Sequence, residues 1–233
     1  SPDNRYLAGI IDDQLQIFTA DGTRLHQFEG FDPLRSSVPL WSPDSTHLAL
    51  AVSTARPDST QATVIVAVGS GDWRPVDAGT VAHPVEWSPD GEWLSLIEID
   101  RSPGLESRPL RVFTLHLPGD ALYTVNEDAI FAGALVHPRW SPDGETLVLS
   151  STDISHGGAS LLATVAPDGA VVDHIPLSAA WARDFAAWSP DGAQIVTTIN
   201  EALTLYAAEG LESRYQDRGV IRHAWTGDQL VYI

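Results

Sequence analysis

Trp140-Ser141-Pro142-Asp143-Gly144, near the middle of the chain, decides how the remainder is read. The first four residues of that stretch recur at Trp41-Ser42-Pro43-Asp44, Trp87-Ser88-Pro89-Asp90 and Trp188-Ser189-Pro190-Asp191. Gly91 and Gly192 follow two of these copies as Gly144 follows Asp143, and Ser45 follows the remaining one. Two weaker copies flank the set: Ser1-Pro2-Asp3-Asn4 lacks only the tryptophan, and Trp225-Thr226-Gly227-Asp228 is degenerate. Counted from the serine position, the spacings are 41, 46, 53, 48 and 37 residues.

A period of about 40–50 residues is that of a four-stranded propeller blade. The sequence around each copy fits one. Four residues after the aspartate stands Leu7, Leu48, Leu94, Leu147 or Ile195, each opening a short apolar run. In the last copy Leu230 follows Asp228 by two, an even deletion that leaves every side chain on its own face of a strand. Two further strand-like runs follow in each of the first five units. They are broken at Asp21-Gly22, Gly71-Asp72, Pro118-Gly119-Asp120, Pro167-Asp168-Gly169 and Gly210. A fourth run leads into each tryptophan: 38–41, 85–87, 136–140, 185–188 and 221–225. The expected strands number three in the first unit, four in each of the next four and two in the last. The motif itself reads as a turn: proline at i+1, aspartate at i+2, and glycine in the left-handed position after it. Trp41, Trp87, Trp140, Trp188 and Trp225 then supply broad surfaces for the gaps between sheets, and Asp44, Asp90, Asp143 and Asp191 belong to the turns.

These WSPDG repeats resemble those of the TolB-type, WD-repeat-like β-propeller family, over essentially the whole chain. The resemblance implies an all-β propeller of four-stranded antiparallel blades forming one domain, residues 1–233. Six repeat units favour six blades with an incomplete terminal blade. A five-bladed closure, with 221–225 completing the first blade, and a fragment of a larger propeller are the alternatives. The first unit lacks its tryptophan strand and the last lacks two outer strands, so the open terminal blade is free to pair with another segment or chain. The family includes periplasmic partner-binding propellers and the non-catalytic propellers of prolyl-oligopeptidase-type peptidases. It therefore implies a periplasmic, secreted or cell-surface location.

Composition narrows the function. The chain has 233 residues, 31 acidic side chains against 13 basic ones and a formal charge of −18. Such a surface does not seek nucleic-acid phosphates or anionic lipid. Without cysteine there is no disulfide, thiol nucleophile or thiolate metal site. No apolar run approaches the length of a membrane span, and the start, without methionine, reads as that of a mature or excised piece. GxSxG, HExxH, GxxxxGK[ST] and GxGxxG strings are absent. No cofactor and no catalytic residue is assigned.

Candidate binding residues come from position. In a propeller, the connection entering each inner strand lies beside the central channel. Ser36 and Ser37, His83, His137 and Arg139, Arg183 and Asp184, and Arg222 and His223 occupy those places. His83 and His137 each precede a proline. The expectation is a polar, locally cationic rim that binds an acidic side chain or carboxylate of a protein or peptide partner, with metal ligation by imidazole as the alternative. The leading function is thus a non-enzymatic interaction module. A substrate-gating or sensor propeller of a larger hydrolase or receptor is second, and an enzyme with its site in the channel mouth third. Asp12-Asp13, Glu127-Asp128, 101–108 and 151–160 read as turns or loops, and Trp73, Trp93 and Trp181 as packing residues.

Overall fold

The computed structural model describes residues 1–29, 31–34, 37–54, 61–79, 82–99, 109–125, 134–153, 160–177, 182–199, 201–220 and 222–233. The expected features at Ser36, 101–108, Glu127-Asp128, 154–159 and Trp181 lie outside them. The described residues hold β-strands and turns and no helix.

Six antiparallel sheets follow one another along the chain. The first contains β1 (Tyr6–Ile11), β2 (Gln14–Thr19) and β3 (Arg24–Gln27). The second contains β4 (Phe31–Pro33), β5 (Leu40–Trp41), β6 (His47–Thr54), β7 (Gln61–Ala67) and β8 (Trp73–Val76). The third runs through β9 (Ala82–Trp87), β10 (Trp93–Ile99), β11 (Pro109–His116) and β12 (Ala121–Thr124). The fourth has β13 (Ala134–Trp140), β14 (Leu147–Asp153), β15 (Ser160–Val165) and β16 (Val171–Leu177). The fifth has β17 (Ala182–Trp188), β18 (Gln194–Ile199), β19 (Ala202–Ala207) and β20 (Ser213–Arg218). The last is the hairpin of β21 (His223–Thr226) and β22 (Gln229–Tyr232). Each sheet is a simple meander, and β5, β9, β13 and β17 lie side by side as inner strands.

The motif serine organises each turn. Ser141 donates its hydroxyl to Asp143 and accepts the Thr146 N–H at 3.0 Å, while its own N–H reaches the Thr146 carbonyl at 2.7 Å. The Gly144 N–H closes the turn on the Ser141 carbonyl at 2.9 Å, and the Glu145 N–H caps Asp143 at 3.1 Å. The same pattern is built on Ser42, Ser88 and Ser189. It is also built on Ser1, whose hydroxyl accepts the Tyr6 N–H and bonds Asp3, so the weak first copy is a complete turn. The four internal serines are buried. The left-handed position is Gly144 at φ 78° and Ser45 at φ 62°. Ser45 uses its side chain there to accept the Asp3 N–H of the neighbouring turn at 3.2 Å. In the degenerate last copy, Thr226 pairs with Gln229, leaving Gly227-Asp228 as the expected two-residue hairpin loop.

Because each internal sheet has a neighbour on both sides, its strands are apolar on both faces. Leu48 and Leu50 pack towards Leu15 and Ile17 of the first sheet, while Ala49, between them, packs towards Leu94 and Leu96 of the third. Leu147 and Leu149 face the third sheet and Val148 the fifth. Trp225 and Leu230 of the final hairpin cover Val196 and Leu203 of the fifth. Indoles carry the contact further. Trp87 Nε1 donates to the Leu40 carbonyl at 3.1 Å, Trp140 Nε1 to Glu86 at 3.3 Å and Trp188 Nε1 to Arg139 at 3.0 Å. Each acceptor is the residue just before the tryptophan of the preceding sheet.

One detail differs from expectation. The single inner strand expected at 38–41 is split into β4 and β5, both paired with β6. Pro39 has no N–H to give the ladder, and the Ser37 hydroxyl takes the Ala51 N–H at 2.8 Å in place of a backbone carbonyl. At the termini, β21 pairs with β22 rather than with β1, the pairing that a five-bladed closure requires. The terminal sheets keep Leu7, Ile11, Val231 and Ile233 exposed.

The indole links predict unequal costs of removing the donor. Trp140→Phe, which keeps a ring and loses the N–H, is expected to destabilise by about 1 kcal/mol. Trp225→Phe is expected to be near neutral in the same urea titration, because the Trp225 N–H is buried without a hydrogen-bond acceptor. Ser141→Ala removes a buried hub that both donates and accepts, and should cost about 1–3 kcal/mol.

Candidate functional site

The inner strands fix the candidate residues by register. Trp87 pairs with Leu94, Trp140 with Leu147 and Trp188 with Ile195. Three residues further along each second strand, Ile97 faces His83, Ser150 faces His137 and Thr198 faces Asp184. In the second sheet the same level is Ala51, held by Ser37. In the last it is Ile233, whose N–H and carbonyl both bond Arg222. Five successive units therefore present Ser37, His83, His137, Asp184 and Arg222 at one level of the inner strands.

This alignment is not apparent from spacing. His83 stands four residues before its tryptophan and His137 only three. A bulge in β9 removes the discrepancy: Ser95 pairs with Glu86 and Leu96 with Pro84, so Val85 is the extra residue. Pro84 and Pro138 consequently occupy matching positions as well, opposite Leu96 and Leu149.

The other candidates sit at different heights. Arg139 is next to the motif turn, His223 lies between that level and Arg222, and Arg183 is one residue before Asp184. Arg139 and His223 line a common cavity of about 490 Å³ with Trp140, Trp188 and Ala224. His223 Nδ1 is 2.7 Å from the Thr198 hydroxyl, which ties the last hairpin to the fifth sheet.

Glu86 was not anticipated. It bridges two inner strands, pairing with Arg139 at 3.0 Å and accepting the Trp140 N–H at 2.9 Å. The signal was a column of the repeat: the residue before each tryptophan is Leu40, Glu86, Arg139, Ala187 or Ala224, with opposite charges in adjacent units. Glu98 was also missed. This buried carboxylate pairs with Ala82 in register, one step beyond His83, and takes Arg111 through two bonds of 2.6 and 3.0 Å.

These contacts reshape the electrostatics of the rim. Arg139 is matched by Glu86. Burial, with the positive charge of Arg139 beside it, holds the His137 imidazole below the ordinary histidine pKa. His137 is therefore neutral at pH 7, and the level offers mixed hydrogen-bonding groups more than a ring of cations. Among the described residues no three His, Asp or Glu side chains converge as a metal site.

No family model matches the chain, and no curated protein sequence does. Solved structures do match. A protein assigned as dipeptidyl aminopeptidase IV from Bacteroides ovatus superposes with a TM-score of 0.58 at 10% identity, over 93% of this chain and 38% of that one. Oligogalacturonate lyase from Vibrio parahaemolyticus gives 0.57 at 12% identity, over 92% of this chain and 62% of its own. A protein assigned as TolB from Agrobacterium tumefaciens gives 0.53 at 18% identity, over 100% of this chain and 88% of that one. The chain thus spans less than two thirds of the first two. The likeness establishes the fold, a TolB-like β-propeller.

The His137 environment makes a titration prediction. A histidine with a depressed folded-state pKa costs stability as pH falls below the unfolded value of about 6.5, where the unfolded chain takes up the proton first. His137 should titrate below 6.5 by NMR, and Arg139→Gln should move its midpoint upward by removing the neighbouring charge.

Proposed function

We propose that this propeller is a non-enzymatic interaction module that binds a protein or peptide partner over the central-channel face. The observation that supports the reading is the shared register of His83, His137, Asp184 and Arg222 on successive inner strands. Residues at one height on adjacent strands can contact a single inserted segment together, which residues scattered along the strands cannot. The level combines a neutral imidazole, a carboxylate position and an exposed guanidinium. Such a mixture suits the backbone amides and polar side chains of a peptide, with Arg222 available to a carboxylate. An extracytoplasmic setting, as in the TolB-type resemblance, accompanies this reading.

The test is capture of partners from an extract of the source organism by immobilised wild type, followed by affinity measurement with each purified partner. The variant His83→Gln, His137→Gln, Arg183→Gln and Arg222→Gln should bind at least tenfold more weakly while keeping its thermal stability. Unchanged affinity for every captured partner would remove the proposal.

A further inference from the structure

A second concave site lies away from the inner strands, between the second and third sheets on the side of the motif turns. Its volume is about 500 Å³. Ile65, Leu117 and Trp73 give it apolar lining, and Asp72, Asp90 and Glu92 line it from both sheets. Trp73 was expected to be a packing residue, yet it is 38% exposed. Trp93, by contrast, packs as expected against His116, Tyr123 and Trp140.

The charge of the groove is one-sided. Arg74 also lines it, but its guanidinium is already paired with Asp120 at 2.6 Å. His47 is held below its ordinary pKa by burial, against the pull of Asp44, and so adds no cation at pH 7. Asp44 itself stays ionised: burial opposes this, but hydrogen bonds from Ser42 and Thr46 outweigh it. Among the described residues, Asp72, Asp90 and Glu92 take part in no ion pair. The groove thus joins apolar side chains and a partly exposed indole to carboxylates that, among the described residues, take part in no ion pair.

We propose that this groove docks an arginine side chain presented by a basic, extended peptide. A guanidinium stacks on an indole face and is simultaneously bonded at its edge by carboxylates, and its methylenes cover apolar surface. The compact lysine ammonium satisfies the carboxylates without the stacking. The site is independent of the inner-strand level and stands whether or not the channel-face reading holds.

The test uses the full chain and a short fluorescein-labelled peptide of alternating glycine and arginine. Peptides with lysine or glutamine in place of arginine serve as references. Trp73→Ala, and separately Asp72→Asn with Glu92→Gln, should each weaken arginine-peptide binding about tenfold. Glu209→Gln with Glu212→Gln removes the same charge from the fifth sheet and should leave affinity unchanged. The four-residue inner-strand variant should also bind normally. Circular dichroism of each variant controls for folding, and the two groove variants reach the site by different chemistry. An equal loss in the Glu209 and Glu212 variant would mean general attraction to an acidic protein and would overturn the proposal. So would equal affinity for the lysine peptide, unaltered binding in both groove variants, or no binding by the wild type.

Discussion

The indole N–H that Trp87, Trp140 and Trp188 each donate to the preceding sheet is the bond on which the architecture rests. Apolar packing alone lets two sheets slide or rotate over one another, since it has little directional preference. A hydrogen bond from Trp87 to Leu40, from Trp140 to Glu86 and from Trp188 to Arg139 fixes both height and angle. The acceptor always stands just before the tryptophan of the preceding sheet, so each link is measured from the position the previous one sets. Glu86 reinforces one of these joints by holding the Trp140 N–H and Arg139 together.

The buried serine supplies the second requirement. It secures the residue five places on, which is Tyr6, His47 or Trp93 in the first three units. Those rings lie against the tryptophan of the next sheet, at centroid distances of 6.2, 6.4 and 6.4 Å. Turn geometry inside one sheet therefore places the aromatic surface that meets its neighbour. This coupling explains why a solvent-edge turn has a fixed spelling: the aspartate and serine are short-range hydrogen-bonding devices with a long-range effect.

Much of this was legible in the residues, because it recurs. Trp, Ser, Pro, Asp and Gly act locally, and the strands after them have turn residues at each end. The level that joins His83 to His137 was only half legible. Their prolines suggested equivalence, but the offset from the tryptophan contradicts it, and only strand pairing reveals the Val85 bulge. Glu86 and Glu98 were hidden for a different reason. Each acquires its role from a partner in another strand, Arg139 or Arg111, and long-range pairing has no local spelling. The groove beside Trp73 was hidden in the same way, as it is made by two sheets whose lining residues are far apart in the chain.

The Val85 bulge also bears on how such a protein changes over time. In an ordinary strand, inserting one residue exchanges the two faces and ruins the packing beyond it. Here the extra residue is taken up between Glu86 and Pro84, and the positions on either side remain in step with those of the fourth sheet. Inner strands of unequal length can thus keep a common set of positions around the axis. One unit can be re-lettered, histidine in one and aspartate or arginine in another, while the shared scaffold stays in phase.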